Sequence, residues 1–183
     1  MSKWSWLVLV ALIVAWFGLG EDYTRERSHP VRKQTESYLR YGVGLAGSAK
    51  NSAAELKFLG LGYQASFSEF QRYDFLVWQG EAGAWADNAG GGRSSSGYAS
   101  FGIGLRVNAG PIVLSSVHGP GLITTPDSYL GSVPQFFHDI CAGLQDSTNK
   151  ASFSFCYKHI SNAGIWQPNV GRDLMDVKLA IPL

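Results

Sequence analysis

The sequence predicts an all-β protein: an eight-stranded antiparallel transmembrane β-barrel, preceded by a hydrophobic N-terminal segment. Three observations predict it. Glycine is abundant (22 of 183 residues), charged residues reach only 16%, and helix-period patterns are scarce after residue 20. Eight runs from Tyr38 onward carry strand alternation between turn-forming flanks. The connections between those runs alternate between tight and long, as in barrels with both termini on the periplasmic side.

The chain opens with Lys3, then an uncharged apolar run from Trp4 to Leu19 with small residues Gly18 and Gly20, ended by Glu21 and Asp22. Residues 1–20 are expected to be a secretory signal peptide, with an uncleaved anchor as the alternative; both take the chain out of the cytoplasm. Residues 21–37, polar and interrupted by Pro30, are expected to be a flexible lead-in.

Strands are expected near 38–46, 54–68, 72–86, 96–109, 111–118, 135–145, 150–161 and 173–182, so that 38–183 forms the barrel. In the second run Leu59, Leu61 and Tyr63 oppose Phe58, Gly60 and Gly62; in the fourth Phe101, Ile103 and Leu105 oppose Gly102, Gly104 and Arg106. The third and fifth runs do not declare their facing, which leaves Glu81 and His118 unassigned. Tight connections are expected around Phe70-Gln71, at Gly110 and at Asp146–Asn149, long ones at Asp87–Ser95, Gly119–Pro134 and Asn162–Arg172, and an intermediate one at Gly47–Ala53. The Gly90–Ser96 stretch reads as a mobile loop tip. Strands of about 9–11 residues or more suit a tilted bilayer crossing, and closure removes edges that lipid cannot solvate. Inward Arg106, Asp139, Lys158, Asp176 and Lys178 are expected to form a polar network. Trp78, Trp85, Trp166 and the tyrosines are expected in interfacial belts.

A two-residue turn at Thr148-Asn149 sets Cys141 opposite Cys156, Leu144 opposite Phe153 and Ile140 opposite Tyr157. Two cysteines so placed are either a disulfide or a pair of buried thiols, and the sequence leaves both open. The same register puts His138 opposite His159, where it either modulates the neighbouring chemistry or belongs to the belt.

The last thirty residues carry the chemistry. Phe153, Phe155, Tyr157, His159 and Ser161 share one parity, so an apolar strand face ends in a histidine and a serine. Asp173 shares its parity with Met175, Val177, Leu179 and Ile181 on the next strand. A serine needs a neighbouring base to become nucleophilic, and an i, i+2 strand pair delivers both to one face. Polar groups aimed at lipid are costly unless they act, so the arrangement suits a substrate that is itself a membrane lipid.

The segment His159-Ile160-Ser161-Asn162-Ala163-Gly164-Ile165, then Gln167-Pro168-Asn169 and Gly171, resembles the signature of the PagL-type lipid A 3-O-deacylases. The likeness continues to Ile181-Pro182 and weakly back through Leu130-Gly131-Ser132 and Ala142-Gly143-Leu144. It implies an outer-membrane barrel of a Gram-negative cell, with lipid A of lipopolysaccharide as substrate and outer-membrane lipids as surroundings. It also implies Ser161 as nucleophile, His159 as general base, and Asn169 at the oxyanion site, assisted by the amides of Asn162, Ala163 and Gly164. The family's third triad member is a glutamate, and Asp173 stands in its place, one methylene shorter. The departure keeps a second reading alive: a barrel of weak or no turnover with a structural or lipid-binding role.

No cofactor is expected, since ester cleavage by this route needs none, and no His/Cys group has zinc spacing. A net charge of +1 without a basic patch gives no reason to expect a nucleic-acid partner. The oligomeric state stays open, a homodimer included.

Overall fold

A computed structural model describes residues 35–45, 56–67, 76–87, 94–127 and 129–183. The expected signal segment, residues 21–34 of the lead-in, the 47–53 connection, the Phe70-Gln71 turn and residues 90–93 of the expected loop tip lie outside the described residues. Eight strands follow in chain order: β1 (Thr35–Gly44), β2 (Lys57–Ser66), β3 (Leu76–Asp87), β4 (Ser94–Ala109), β5 (Ile112–Ile123), β6 (Pro134–Gln145), β7 (Ser152–Ser161) and β8 (Arg172–Pro182). Each pairs antiparallel with the next, and β8 pairs with β1 to close the barrel.

Alternation sets the two faces. Exposed Leu39, Leu61, Phe101, Phe155, Leu179 and Ile181 line the outer wall. So much contiguous apolar surface on a closed barrel calls for lipid around it. The β6–β7 register is the one the Thr148-Asn149 turn predicts: Cys141↔Cys156, Ile140↔Tyr157 and His138↔His159. Asp146 holds that turn by accepting the Thr148 and Asn149 amides at 2.6 and 3.1 Å, and those donors keep its carboxyl below the usual range. The two cysteines face inward and form a disulfide.

Four expectations need correction. β1 begins at Thr35, three residues before the expected start at Tyr38, because Glu36 and Tyr38 already alternate inward. β5 runs on to Ile123 through Gly119-Pro120-Gly121, which shortens the following loop to residues 124–133. The ladder tolerates Pro120 because the β4–β5 pairing omits Gly119 and Pro120. Ser94–Ser96 belong to β4 rather than to a loop tip. Trp85, Tyr38 and Tyr98 lie inside the barrel, 3%, 3% and 5% exposed, not in a belt. From Gly80 on the outward β3 positions are small (Gly80, Ala82, Ala84, Ala86), so over that stretch its facing had no apolar contrast to reveal it.

The lumen is filled in layers. Toward the long loops Leu56, Phe58, Trp85, Phe137, Ile160 and Leu174 belong to an apolar cluster. Further along, Arg40 binds Asp176 through two hydrogen bonds (2.7 and 2.8 Å) and meets Glu81 (3.0 Å) and Asp139 (2.9 Å). Lys158 pairs with Glu81, which also accepts the Tyr38 and Tyr98 hydroxyls at 3.0 and 2.6 Å. Nearer the termini Arg106 meets Glu36 at 2.5 Å and Lys178 bonds Gln64 at 2.9 Å. Among the described residues the buried charges balance, with Arg40, Arg106, Lys158, Arg172 and Lys178 against Glu36, Glu81, Asp87, Asp139 and Asp176. Charges so buried are tolerated only when paired. Gly83 makes this filling possible, since a Cβ there would come within 2.7 Å of the Tyr98 ring.

Candidate active site

β7 and β8 carry the reactive residues to the outer wall. The burial of β7 alternates strictly through Lys158 and Ile160, which turns His159 and Ser161 outward; on β8 Arg172 and Leu174 point in and Asp173 points out. The β7–β8 register sets His159 directly opposite Asp173. Their side chains meet, with His159 Nδ1 2.7 Å from Asp173 Oδ1, about one third and one quarter exposed. The shorter acid therefore reaches the ring. With Nδ1 engaged, the Nε2 edge is left for other partners. Among the described residues the Ser161 hydroxyl has no hydrogen-bond partner, so it is free to turn toward that edge.

The loop of residues 162–171 is folded by Asn162. Its side chain is fully buried; it accepts the Gly164 amide at 3.1 Å and donates to the Trp166 carbonyl at 2.8 Å. Ala163 and Gly164 both have positive φ (57° and 78°), and the Ile165 amide bonds the Asn162 carbonyl, which makes a mirror-image tight turn. The Asn162 amide donates to Asn169 Oδ1 at 3.0 Å, leaving the Asn169 Nδ2 group as a donor. Of the four residues named for the oxyanion role, then, Asn162 and Gly164 have their amides engaged within the loop. The Ala163 amide and Asn169 Nδ2 have no acceptor among the described residues.

Gly171 closes the loop beneath the imidazole. Its φ is +79°, and a Cβ there would lie 3.0 Å from His159 Cε1 and 3.6 Å from Nε2. Glycine is required twice over, for the backbone and for the ring.

A second long loop braces the first. Leu130 pairs with Asn169, the Tyr129 carbonyl accepts the Val170 and Gly171 amides, and the Gly131 amide bonds the Pro168 carbonyl. Arg172 pins both loops, binding Asp127 at 2.6 Å and Asp87 at 3.0 Å with its guanidinium 4.5 Å from the Tyr129 ring centroid. The Leu130-Gly131-Ser132 stretch singled out in the sequence is therefore part of this brace. Sequence reasoning missed Arg172, Asp127 and Tyr157. Tyr157 donates its hydroxyl to the same Asp173 oxygen at 2.6 Å. Its parity with His159 was the available signal, and its ring read as belt. Among the described residues no group of three or more His, Cys, Asp or Glu is arranged to hold a metal ion.

Fold and site together define the class: an eight-stranded membrane β-barrel with histidine, serine and aspartate displayed on its lipid-facing wall. The sequence profile of the lipid A 3-O-deacylase (PagL) family matches residues 57–182, and the chain belongs to that family, whose members are carboxylic ester hydrolases. Among solved structures, one described as the crystal structure of the outer membrane enzyme PagL is similar, with a TM-score of 0.57 and 22% identity. The match covers 80% of this chain and 99% of that one, and it shows the shared barrel. No curated protein sequence matches the chain.

Proposed function

We propose that this outer-membrane enzyme removes the 3-O-linked hydroxyacyl chain of lipid A through Ser161, His159 and Asp173. The observation that carries the reading is the 2.7 Å contact between His159 Nδ1 and Asp173 Oδ1 on the lipid-facing wall, with Ser161 two residues along the same face. In this reading Asp173 fixes the imidazole with its proton on Nδ1 and stabilises the cation that forms. His159 Nε2 takes the Ser161 proton as Oγ attacks the ester carbonyl, then returns it to the departing sugar oxygen. Asn169 Nδ2 and the Ala163 amide are the donors placed to meet the developing negative charge. Water then attacks the acyl-serine with His159 again as base, and the hydroxy fatty acid leaves. The substrate needs no extraction from the bilayer, because the trio already faces acyl chains.

The contact also supports turnover over a scaffold without activity, since that alternative rested on the shorter acid. Mass spectrometry of lipid A from cells producing the chain tests the function. Wild type is expected to yield lipid A lacking one hydroxyacyl group, and Ser161→Ala to lower that conversion by roughly 10³-fold or more. Identical acylation patterns from the two would end the proposal.

A further inference from the structure

The outer wall holds a second serine–histidine array, this one hydrogen-bonded, that the proposed reaction does not use. Ser116 and His118 lie two apart on β5, both at outward positions. Ser116 Oγ is 2.8 Å from His118 Nε2, and His118 Nδ1 is 2.7 Å from His138 Nδ1 on β6. The chain of contacts gives each group a defined task. If the His118 Nδ1–H donates to His138, its Nε2 is the lone-pair nitrogen and receives the Ser116 proton. A nucleophile bonded to a base, with the base oriented by a third group, is the general geometry of an activated serine. Around it the wall is apolar, with Leu105 and Ile140 as the cross-strand neighbours of Ser116 and Ile103 as that of His118.

We propose that Ser116 is a second nucleophilic serine, activated by His118 and His138, that accepts acyl groups from esters embedded in the membrane. Ser116 Oγ bonds to the carbonyl carbon while its proton passes to His118 Nε2. The adduct collapses, the ester C–O bond breaks, and the proton leaves with the alkoxide as the free alcohol. The acyl group stays on Ser116. One element is missing by comparison with the Ser161 site: Ser116 sits inside the β4–β5 and β5–β6 ladders, with no loop beside it to supply amide donors. Absence of an oxyanion donor costs roughly 10²–10³ in rate, so Ser116 is expected to react that much more slowly than Ser161.

The test uses the full-length Ser161→Ala protein in detergent micelles and a long-chain alkyl fluorophosphonate. The serine oxygen bonds phosphorus, fluoride departs, and peptide mass spectrometry locates the adduct. The expected result is an adduct on Ser116, formed about 10²–10³ times more slowly than the wild-type adduct on Ser161, and lost in Ser161→Ala/His118→Asn and Ser161→Ala/Ser116→Ala. Heat-modifiable gel mobility shows that each variant is a folded barrel, and Ser161→Ala/His118→Gln replaces the asparagine variant if that one is not. No adduct on Ser116 after thousand-fold longer exposure overturns the proposal, as does equal labelling without His118. Labelling of Ser161 in wild type reports on the proposed triad separately.

Discussion

Among its described residues the barrel wall carries two serine–histidine pairs, and under the two proposals their contrast is one of what a reactive serine needs beyond a base. On β5 the pair sits mid-strand, already hydrogen-bonded at 2.8 Å and backed by a second imidazole. On β7 the pair sits at the strand end, its serine unbonded among the described residues, its histidine backed by a carboxylate. The β5 pair is the better assembled in isolation. The β7 pair has what a continuous strand cannot offer: a loop whose amides are not spent in the ladder. A sheet consumes its N–H groups in pairing, so the place to build an oxyanion site on a barrel is where pairing stops.

The comparison can be attacked first at the backing group. Asp173→Asn keeps the shape and removes the charge, and deacylation in detergent micelles is expected to fall by roughly 10³–10⁴ in kcat. A loss under tenfold would mean that the carboxylate is not what sets the β7 pair apart. The loop comes next. Asn169→Ala removes the free amide donor and is expected to lower kcat by about 10²–10³ with KM little changed. If the rate holds, the proposed oxyanion donor is wrong and the contrast between loop and strand loses its basis. Gly171→Ala pushes a methyl against the imidazole and strains a left-handed residue. The expected fall is about 10²-fold, the scale of an ångström's misplacement, in a barrel whose heat-modifiable mobility is unchanged. Tyr157→Phe deletes one hydrogen bond to Asp173. Its expected effect is the smallest, about 3- to 10-fold in kcat with the same KM, as for one ordinary hydrogen bond.

Much of this was legible in the sequence, and the reason differs by strand. β7 and β8 alternate bulky apolar residues with small or charged ones, so Lys158 and Asp176 go in while Phe155 and Met175 go out, and the register followed from one turn. The face of His159, Ser161 and Asp173 could be read for that reason. From Gly80 on β3 hid its facing behind outward glycine and alanine, and Trp85 was assigned to the wrong side. β5 hid its length behind Gly119-Pro120-Gly121, residues that normally punctuate a chain. Tyr157 and Arg172 act through partners distant in sequence, Tyr157 on Asp173 and Arg172 on Asp127 and Asp87. Such pairings depend on three-dimensional reach rather than on period. Parity tells which wall a residue joins, but not which neighbour its side chain finds.

The balanced charges that fill the lumen have a consequence for the cell. Among the described residues, inward arginines and lysines offset the inward carboxylates one for one and an apolar cluster fills the layer toward the long loops, so the interior of the barrel is occupied by side chains. The chemistry proposed for the outer wall therefore asks for no channel through the barrel, and surface remodelling of this kind need not trade against the exclusion of toxic compounds.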